Sequence, residues 1–365
     1  MRRGKRRLGV ALTIVGAVVL AGGAAAAFAW VNRAPAEPAP RAAEPPIPHP
    51  LTPAQQLVAD ADDPAACAVT FSGDAITDAP MLQSQGALHV GLPIPAQEGR
   101  VFAGWYASAE DAAAFRVEGR INGSDPVECV DQERELFGAW RSPEENAAEN
   151  VQVPILMYHQ FTANPDGETG WLRGNYAYIG DFEAHMNHIA TTGFYQPTWD
   201  ELSAFIDGRL SLPARSVIVT DDDADQSWFD LAVPIVDRYR VLTTSFMVTA
   251  HRQDPAPTPY VLRRSHTHDM HQPGEDGKGR MVNWTAEQIA ADLNTSADIL
   301  GAREVIAYPF GHHNDTAKQG VAQAGYEMAR TIEPGYVRIG TDKLALPVVR
   351  IDYGMDLDSL VKRIG

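Results

Sequence analysis

Ser216-Val217-Ile218-Val219-Thr220-Asp221-Asp222-Asp223-Ala224-Asp225 is the stretch on which the reading turns. A short run of β-favouring residues passes directly into a cluster of aspartates. An uninterrupted apolar run of this length reads as a strand buried on both faces, the pattern of a parallel sheet. Carboxylates this crowded repel one another unless water, a cation or a proton relieves them. A solvated acidic loop would satisfy the repulsion, and so would a metal ligand standing beside a carboxylate base.

The flanking sequence repeats the rhythm. Strand-like runs at Val153 to Tyr158, Thr244 to Val248, Val305 to Tyr308 and Val348 to Ile351 alternate with helical segments at Phe182 to Thr192, Asp200 to Ile206, Trp228 to Arg240 and Ala286 to Leu300. Thr285 with Gln288 has capping-box form at the start of the last. Alternation of this kind predicts an α/β domain with a parallel sheet or barrel inside and helices outside. Chemistry in such folds sits at the C-terminal ends of strands. The aspartates occupy one such end, and His159 closes another. His266, His268 and His271 crowd a third segment. His266 and His271 are five residues apart, about 140° round a helix, so they can share an ion only from a loop. His268 reads as a surface residue. His185 and His188, three apart, read as a partly exposed helix face, and His312-His313 as the lead-in to a helix capped by Asn314 or Asp315.

Taken together, residues 150–362 resemble the polysaccharide deacetylase (NodB homology) family of metal-dependent carbohydrate esterases. Asp222 and Asp223 match the aspartate pair of that family's strand end, and Tyr308-Pro309-Phe310-Gly311 looks like its "YPFG" segment. Gly325-Tyr326, Glu333-Pro334-Gly335-Tyr336 and Leu346-Pro347 through Arg350 are similar to the tail of the poly-N-acetylglucosamine deacetylase branch. In that branch the metal histidines are five apart and the general-acid histidine comes early, as His159 does here. The chain departs from the pattern at Asp221 (usually Phe) and Ala224 (usually Gly). Ala307 stands where many relatives outside the branch carry an arginine that steadies the base.

The resemblance implies a distorted (β/α) barrel with fewer than eight regular strands. It implies a divalent metal, Zn²⁺ with Co²⁺ or Ni²⁺ as alternatives, held by Asp223, His266 and His271. Asp222 would be the base, His159 the acid, and a backbone N–H near Tyr308 an oxyanion donor. The activity it implies is hydrolysis of N-acetyl groups from an N-acetylglucosamine polysaccharide, releasing acetate. Two alternatives stay open: a catalytically weakened surface protein that binds glycans or mediates adhesion, and an esterase for O-acetyl groups on xylan. The implied site draws only on residues after 150, so a fragment beginning near Glu149 is expected to fold and keep activity.

Upstream, the sequence is of another kind. Arg2, Arg3, Lys5, Arg6 and Arg7 precede an uncharged stretch from Leu8 to Trp30. As a helix this would be about 34 Å long, enough to span a bilayer core of about 30 Å. Residues 1–33 therefore read as a basic stub with a membrane anchor. A cleaved signal is the competing reading, since Ala27-Phe28-Ala29 has the form of a cleavage site. Both place the rest outside the cytoplasm. Residues 34–63 read as a Pro/Ala-rich linker. Residues 64–142 carry short apolar runs broken by turn residues, the mark of a small β domain. Cys67 and Cys129, the two cysteines of the chain, read as one disulfide in an exported protein. Val69-Thr70-Phe71, Pro93-Ile94-Pro95, Phe102-Ala103-Gly104-Trp105-Tyr106 and Leu136-Phe137-Gly138-Ala139-Trp140 resemble a Listeria–Bacteroides repeat. That likeness implies a β-grasp-like module on a bacterial surface, able to contact surface proteins or glycans.

Composition limits the partners. The chain has 365 residues with 30 Lys+Arg against 47 Asp+Glu, and a net charge of −17. The basic stub holds a share of those few cations, so the remainder is more acidic still. A body of this charge repels phosphate backbones, which excludes nucleic acid, and it accommodates a neutral polysaccharide.

Overall fold

The computed structural model describes residues 50–365. The expected anchor lies outside the described residues; among those described, no helix is long and apolar enough to cross a membrane. Leu51–Gly365 form one compact unit.

Part of the expected linker is helical. Pro53–Ala61 forms a helix because Thr52 and Gln55 close a reciprocal capping box and Pro53 fills the first turn. The five strands that follow are β1 (Ala66–Ser72), β2 (Met81–Ser84), β3 (Val101–Tyr106), β4 (Arg120–Ile121) and β5 (Glu133–Arg141). They build one sheet in the order β2-β1-β5-β3-β4, with β1 parallel to β5. Cys67 and Cys129 are disulfide-bonded, with Cα atoms 6.1 Å apart. Gly104 has φ +101°, and a Cβ there would lie 2.4 Å from Arg120 Nε, so only glycine serves in this strand.

The second part contains a closed, all-parallel barrel of seven strands. In sequence they are β6 (Ile155–Tyr158), β9 (Ile218–Asp222), β10 (Thr243–Met247), β11 (Val261–Ser265), β12 (Val305–Ala307), β13 (Met328–Pro334) and β14 (Leu346–Arg350). A two-stranded ribbon, β7 (Gln160–Thr162) and β8 (Tyr176–Tyr178), stands beside them. Around the barrel the order is β10-β11-β12-β13-β14-β6-β9, closing by β9 on β10. Strands β11 and β13 escape the sequence reading. Val261-Leu262-Arg263-Arg264-Ser265 carries two arginines, and β13 places Arg330 where a buried strand would ordinarily be apolar.

Strand alternation sorts the side chains. Ile155, Met157, Ile218, Phe246, Val305, Met328 and Val348 pack together inside the barrel, while Leu156, Tyr158, Val217, Val219 and Val349 pack outward. The helix Trp199–Ile206 closes the N-terminal end of the barrel. Its Trp199 Nε1 donates to Thr244 Oγ1 at 2.9 Å, and its ring lies 6.2 Å from Phe246.

The β module covers that same end. Phe102 N donates to Arg209 O at 2.9 Å and Ser211 N to Phe102 O at 2.8 Å, a strand-like bridge between the two parts. Asn122 Nδ2 donates to Gln196 O at 2.9 Å and to Glu201 Oε2 at 2.6 Å. The Arg120 guanidinium lies 4.5 Å from the Tyr195 ring centre. Phe102, Trp105 and Leu136 of the module share one hydrophobic cluster with Leu202, Phe205 and Leu210. The mutual independence expected of the two parts does not follow from this packing.

Candidate metal centre

Each side chain of the site arrives at a C-terminal strand end. Asp222 is the last residue of β9, and Asp223 and Ala224 follow it with φ of 74° and 47°. Two successive left-handed residues are costly for anything but glycine, and here they turn the chain so that Asp223 faces the same cavity as Asp222. His266 and His271 lie on the loop after β11, as their spacing required.

One carboxylate oxygen of Asp223 is 3.5 Å from His266 Nε2 and 3.3 Å from His271 Nε2. The three form the metal-type cluster among the described residues, with ligand atoms within 4.8 Å of one another. His266 Nδ1 lies 2.9 Å from the carbonyl oxygen of Ala307. A carbonyl can only accept, so Nδ1 carries the proton and Nε2 presents a bare lone pair to the cluster. Burial lowers the pKa of His266 and of His271 to about 4, so both rings are neutral at pH 7. Neutral imidazoles and one carboxylate fit a divalent cation and leave coordination open.

Asp222 is set up differently. Burial pushes its pKa up, but Arg330, His159 and His266 outweigh this and hold the carboxyl at about 2. Arg330 is fully buried inside the barrel, ion-paired with Asp222 Oδ1, and its guanidinium lies 5.2 Å from the Phe246 ring centre. A column of side chains therefore runs from Trp199 through Phe246 and Arg330 to Asp222. The sequence reading missed Arg330; the signal available was a lone arginine within an apolar run, Met328-Ala329-Arg330-Thr331. His159 Nε2 is 3.7 Å from Asp222 Oδ2. Burial lowers the His159 pKa, against the pull of Asp222 and Asp223.

Asp221 stays out of the site. Alternation turns it to the outer side of β9, where it is buried and its Oδ2 accepts from Ser245 Oγ at 3.2 Å. Burial, with the neighbouring Asp222 and Asp223, pushes its pKa well above the ordinary carboxylate value. Tyr308 lines the cavity, but its N–H donates to Arg330 O at 3.0 Å and its hydroxyl to Leu344 O at 3.1 Å. Two residues on, Phe310 has φ 59°, and its N–H takes no acceptor among the described residues.

Three other histidines, His185, His268 and His312, are engaged in local hydrogen bonds. His185 is 1% exposed, not on an exposed face, because its Nδ1 is hydrogen-bonded to the Tyr158 hydroxyl at 3.0 Å. His268 is half-buried with Nδ1 3.0 Å from Thr249 Oγ1. Asn314 caps the helix Asp315–Gln323, and His312 Nδ1 accepts from Gly279 N at 2.8 Å.

The cavity holding Asp222, Asp223, His159, His266 and His271 has a volume of about 400 Å³. Trp171, 90% exposed, stands at its wall with Phe310. Residues 209–329 match the family model described as polysaccharide deacetylase. Over that stretch the barrel is similar to a polysaccharide deacetylase domain. The match spans Asp222, Asp223, His266, His271 and Tyr308, and leaves out His159 and Arg330. A poly-beta-1,6-N-acetyl-D-glucosamine N-deacetylase of Staphylococcus aureus is 26% identical over an alignment of 172 residues that covers 41% of this chain and 59% of that protein. The chain thus spans about three-fifths of that relative's length. The barrel is also similar in fold to solved structures. The Streptococcus pyogenes deacetylase PplD, solved with acetate, has a TM-score of 0.50 at 20% identity, covering 59% of this chain and 99% of that one. A polysaccharide deacetylase from Bacillus cereus has a TM-score of 0.50 at 16% identity, covering 78% of this chain and 94% of that one. The second span is longer than residues 150–365, so that likeness reaches past the barrel into the N-terminal module.

Proposed function

We propose that this protein hydrolyses N-acetyl groups of an extracytoplasmic N-acetylglucosamine polysaccharide, releasing acetate. The observation that carries the reading is the meeting of Asp223, His266 and His271 at ligand distance beside Asp222 and His159, all in one cavity. Zn²⁺ is the cation we assign to the three ligands. When bound, it supplies an acidified water and polarises the acetyl carbonyl. Asp222, ionised and aimed by Arg330, accepts the proton of the attacking water. His159, in its protonated form, donates that proton to the departing amine and is left as the neutral imidazole. The free N–H of Phe310, in place of the committed N–H of Tyr308, is the backbone group we assign to the oxyanion.

Asp221 lies outside the cavity, which supports an active enzyme over a weakened glycan-binding relative. Export from the cytoplasm is supported by the apolar N-terminal stretch and the disulfide. The β-grasp reading of the module is supported by its strand order and by the parallel β1–β5 pair at its centre. The test is acetate release from poly-N-acetylglucosamine, peptidoglycan, chitin oligomers and acetylated xylan, after chelation and with Zn²⁺ or Co²⁺ restored. Metal-dependent release from an N-acetylated polymer is expected. Release from xylan alone, or none from any glycan, would overturn the assignment.

A further inference from the structure

The helix Ala286–Leu300 buries one carboxyl group, that of Asp292, in its middle. Aspartate is a poor residue for a helix interior, and a buried carboxylate is costly unless donors meet it. Here the donors come from another element. Asp292 Oδ1 accepts from the backbone N–H of His268 at 2.7 Å, and Oδ2 accepts from that of Asp269 at 2.8 Å. Those two residues lie midway between His266 and His271. One turn further along the same helix face, Ser296 Oγ is 2.8 Å from Ser265 Oγ, which accepts from Thr267 N at 3.0 Å. The helix therefore grips the segment between the two metal-type histidines, with Asp292 making the charged contact.

That segment needs support. Thr267 has φ 73°, a left-handed conformation that is strained for a β-branched residue. The two histidines are also held unequally. The His266 ring is fixed through its other nitrogen by Ala307 O, the kind of outer partner that orients a metal ligand. The His271 ring has no hydrogen bond to a residue outside the metal cluster among the described residues, and it rests against Phe310 with ring centres 4.3 Å apart. Its place is set by the backbone that delivers it, and Asp292 ties that backbone to the helix. We infer that Asp292 is a positioning residue of the metal centre, holding the turn between His266 and His271 so that both Nε2 atoms face Asp223. The inference rests on the metal reading of the cluster. Asp292 does not line the cavity, so it acts on the cation only through the turn.

Cation affinity, measured on the full chain for Zn²⁺ against a competing chelator, tests this apart from turnover. Asp292→Ala should weaken binding about 10–100-fold, the loss typical when a group behind a ligand is removed. It should also change the visible absorption of the Co²⁺-loaded protein. Asp292→Asn keeps the shape and one accepting oxygen, so its loss should be smaller, and it carries the test where the alanine variant does not fold. Thr285→Ala weakens the same helix at its cap without touching the turn, and should leave the affinity unchanged. Unaltered affinity in both Asp292 variants overturns the proposal, and so does an equal loss in Thr285→Ala. Hydrogen exchange on the metal-free chain reads the turn itself. Either Asp292 variant should exchange faster over residues 266–271 while β9 exchanges as before. Equal exchange over 266–271 overturns the proposal even where the unmodified chain takes up no cation, which is the separate result by which the metal reading fails.

Discussion

Removing the Arg330 guanidinium would leave Asp222 as a buried carboxylate with no fixed cation beside it. Arg330→Met should therefore raise the Asp222 pKa, move the acid limb of the pH–rate profile to higher pH and lower turnover. It should also destabilise the fold by about 3–5 kcal/mol, the usual cost of breaking a buried pair. The neighbouring aspartates should respond unlike one another. Asp222→Asn keeps shape and removes the base, so metal content should stay unchanged while turnover falls by about 10²–10⁴. Asp223→Ala, His266→Ala and His271→Ala each delete a ligand, so bound metal, read by elemental analysis, and activity should fall together. Asp221→Phe removes a buried carboxyl from the outer face of β9. Full metal occupancy and undiminished activity are expected; loss of metal in that variant would mean that the roles of Asp222 and Asp223 are displaced by one residue.

Elements were legible in the sequence where period and caps agreed. The helix Ala286–Leu300 begins and ends at the predicted residues because Thr285 caps it and Gly301 terminates it with φ 70°. Thr285→Ala should cost about 1 kcal/mol, seen as a lower thermal midpoint. Of the strands that went unread, β13 carries a polar residue that acts inside the barrel. Arg330 breaks the apolar pattern of β13 because the interior needs a cation opposite Asp222, and that need is invisible until β9 and β13 are placed together. Likewise, the spacing of His266 and His271 announced a loop, but the opposite facing of Asp221 and Asp222 required the strand's exact start. In the module, the link between Cys67 and Cys129 ties β1 to the segment before β5. Under the chain-entropy model, closing a loop of this length contributes about 4 kcal/mol. Mass spectrometry under denaturing, non-reducing conditions should find no free thiol, and reduction should lower the module's resistance to unfolding.

For the molecule as a whole, the shared cluster of Phe102, Trp105, Leu202 and Leu210 makes module and barrel one cooperative body. A fragment starting near Glu149 bares that cluster at the N-terminal end of the barrel. It should melt well below residues 51–365 or aggregate, and an equal midpoint would restore the independence of the two parts. Acid should weaken both parts over one range. Burial lowers His89 in the module and His185 beside the barrel to about 4, against about 6.5 unfolded. Depressed in this way, each contributes stability that is complete above pH 6.5 and is lost as pH falls toward 4, by up to about 3 kcal/mol for each. Denaturant titrations between pH 7 and 4 should show the decline, and His185→Gln should make it shallower. The filled N-terminal end has one more consequence, which concerns traffic. A tube stoppered by Trp199 and covered by a second domain cannot be threaded, so a long strand has to drape across the open mouth and leave by the way it came. On the proposed reading, such an enzyme needs no free end to start from, and it can work on strands already woven into a gel.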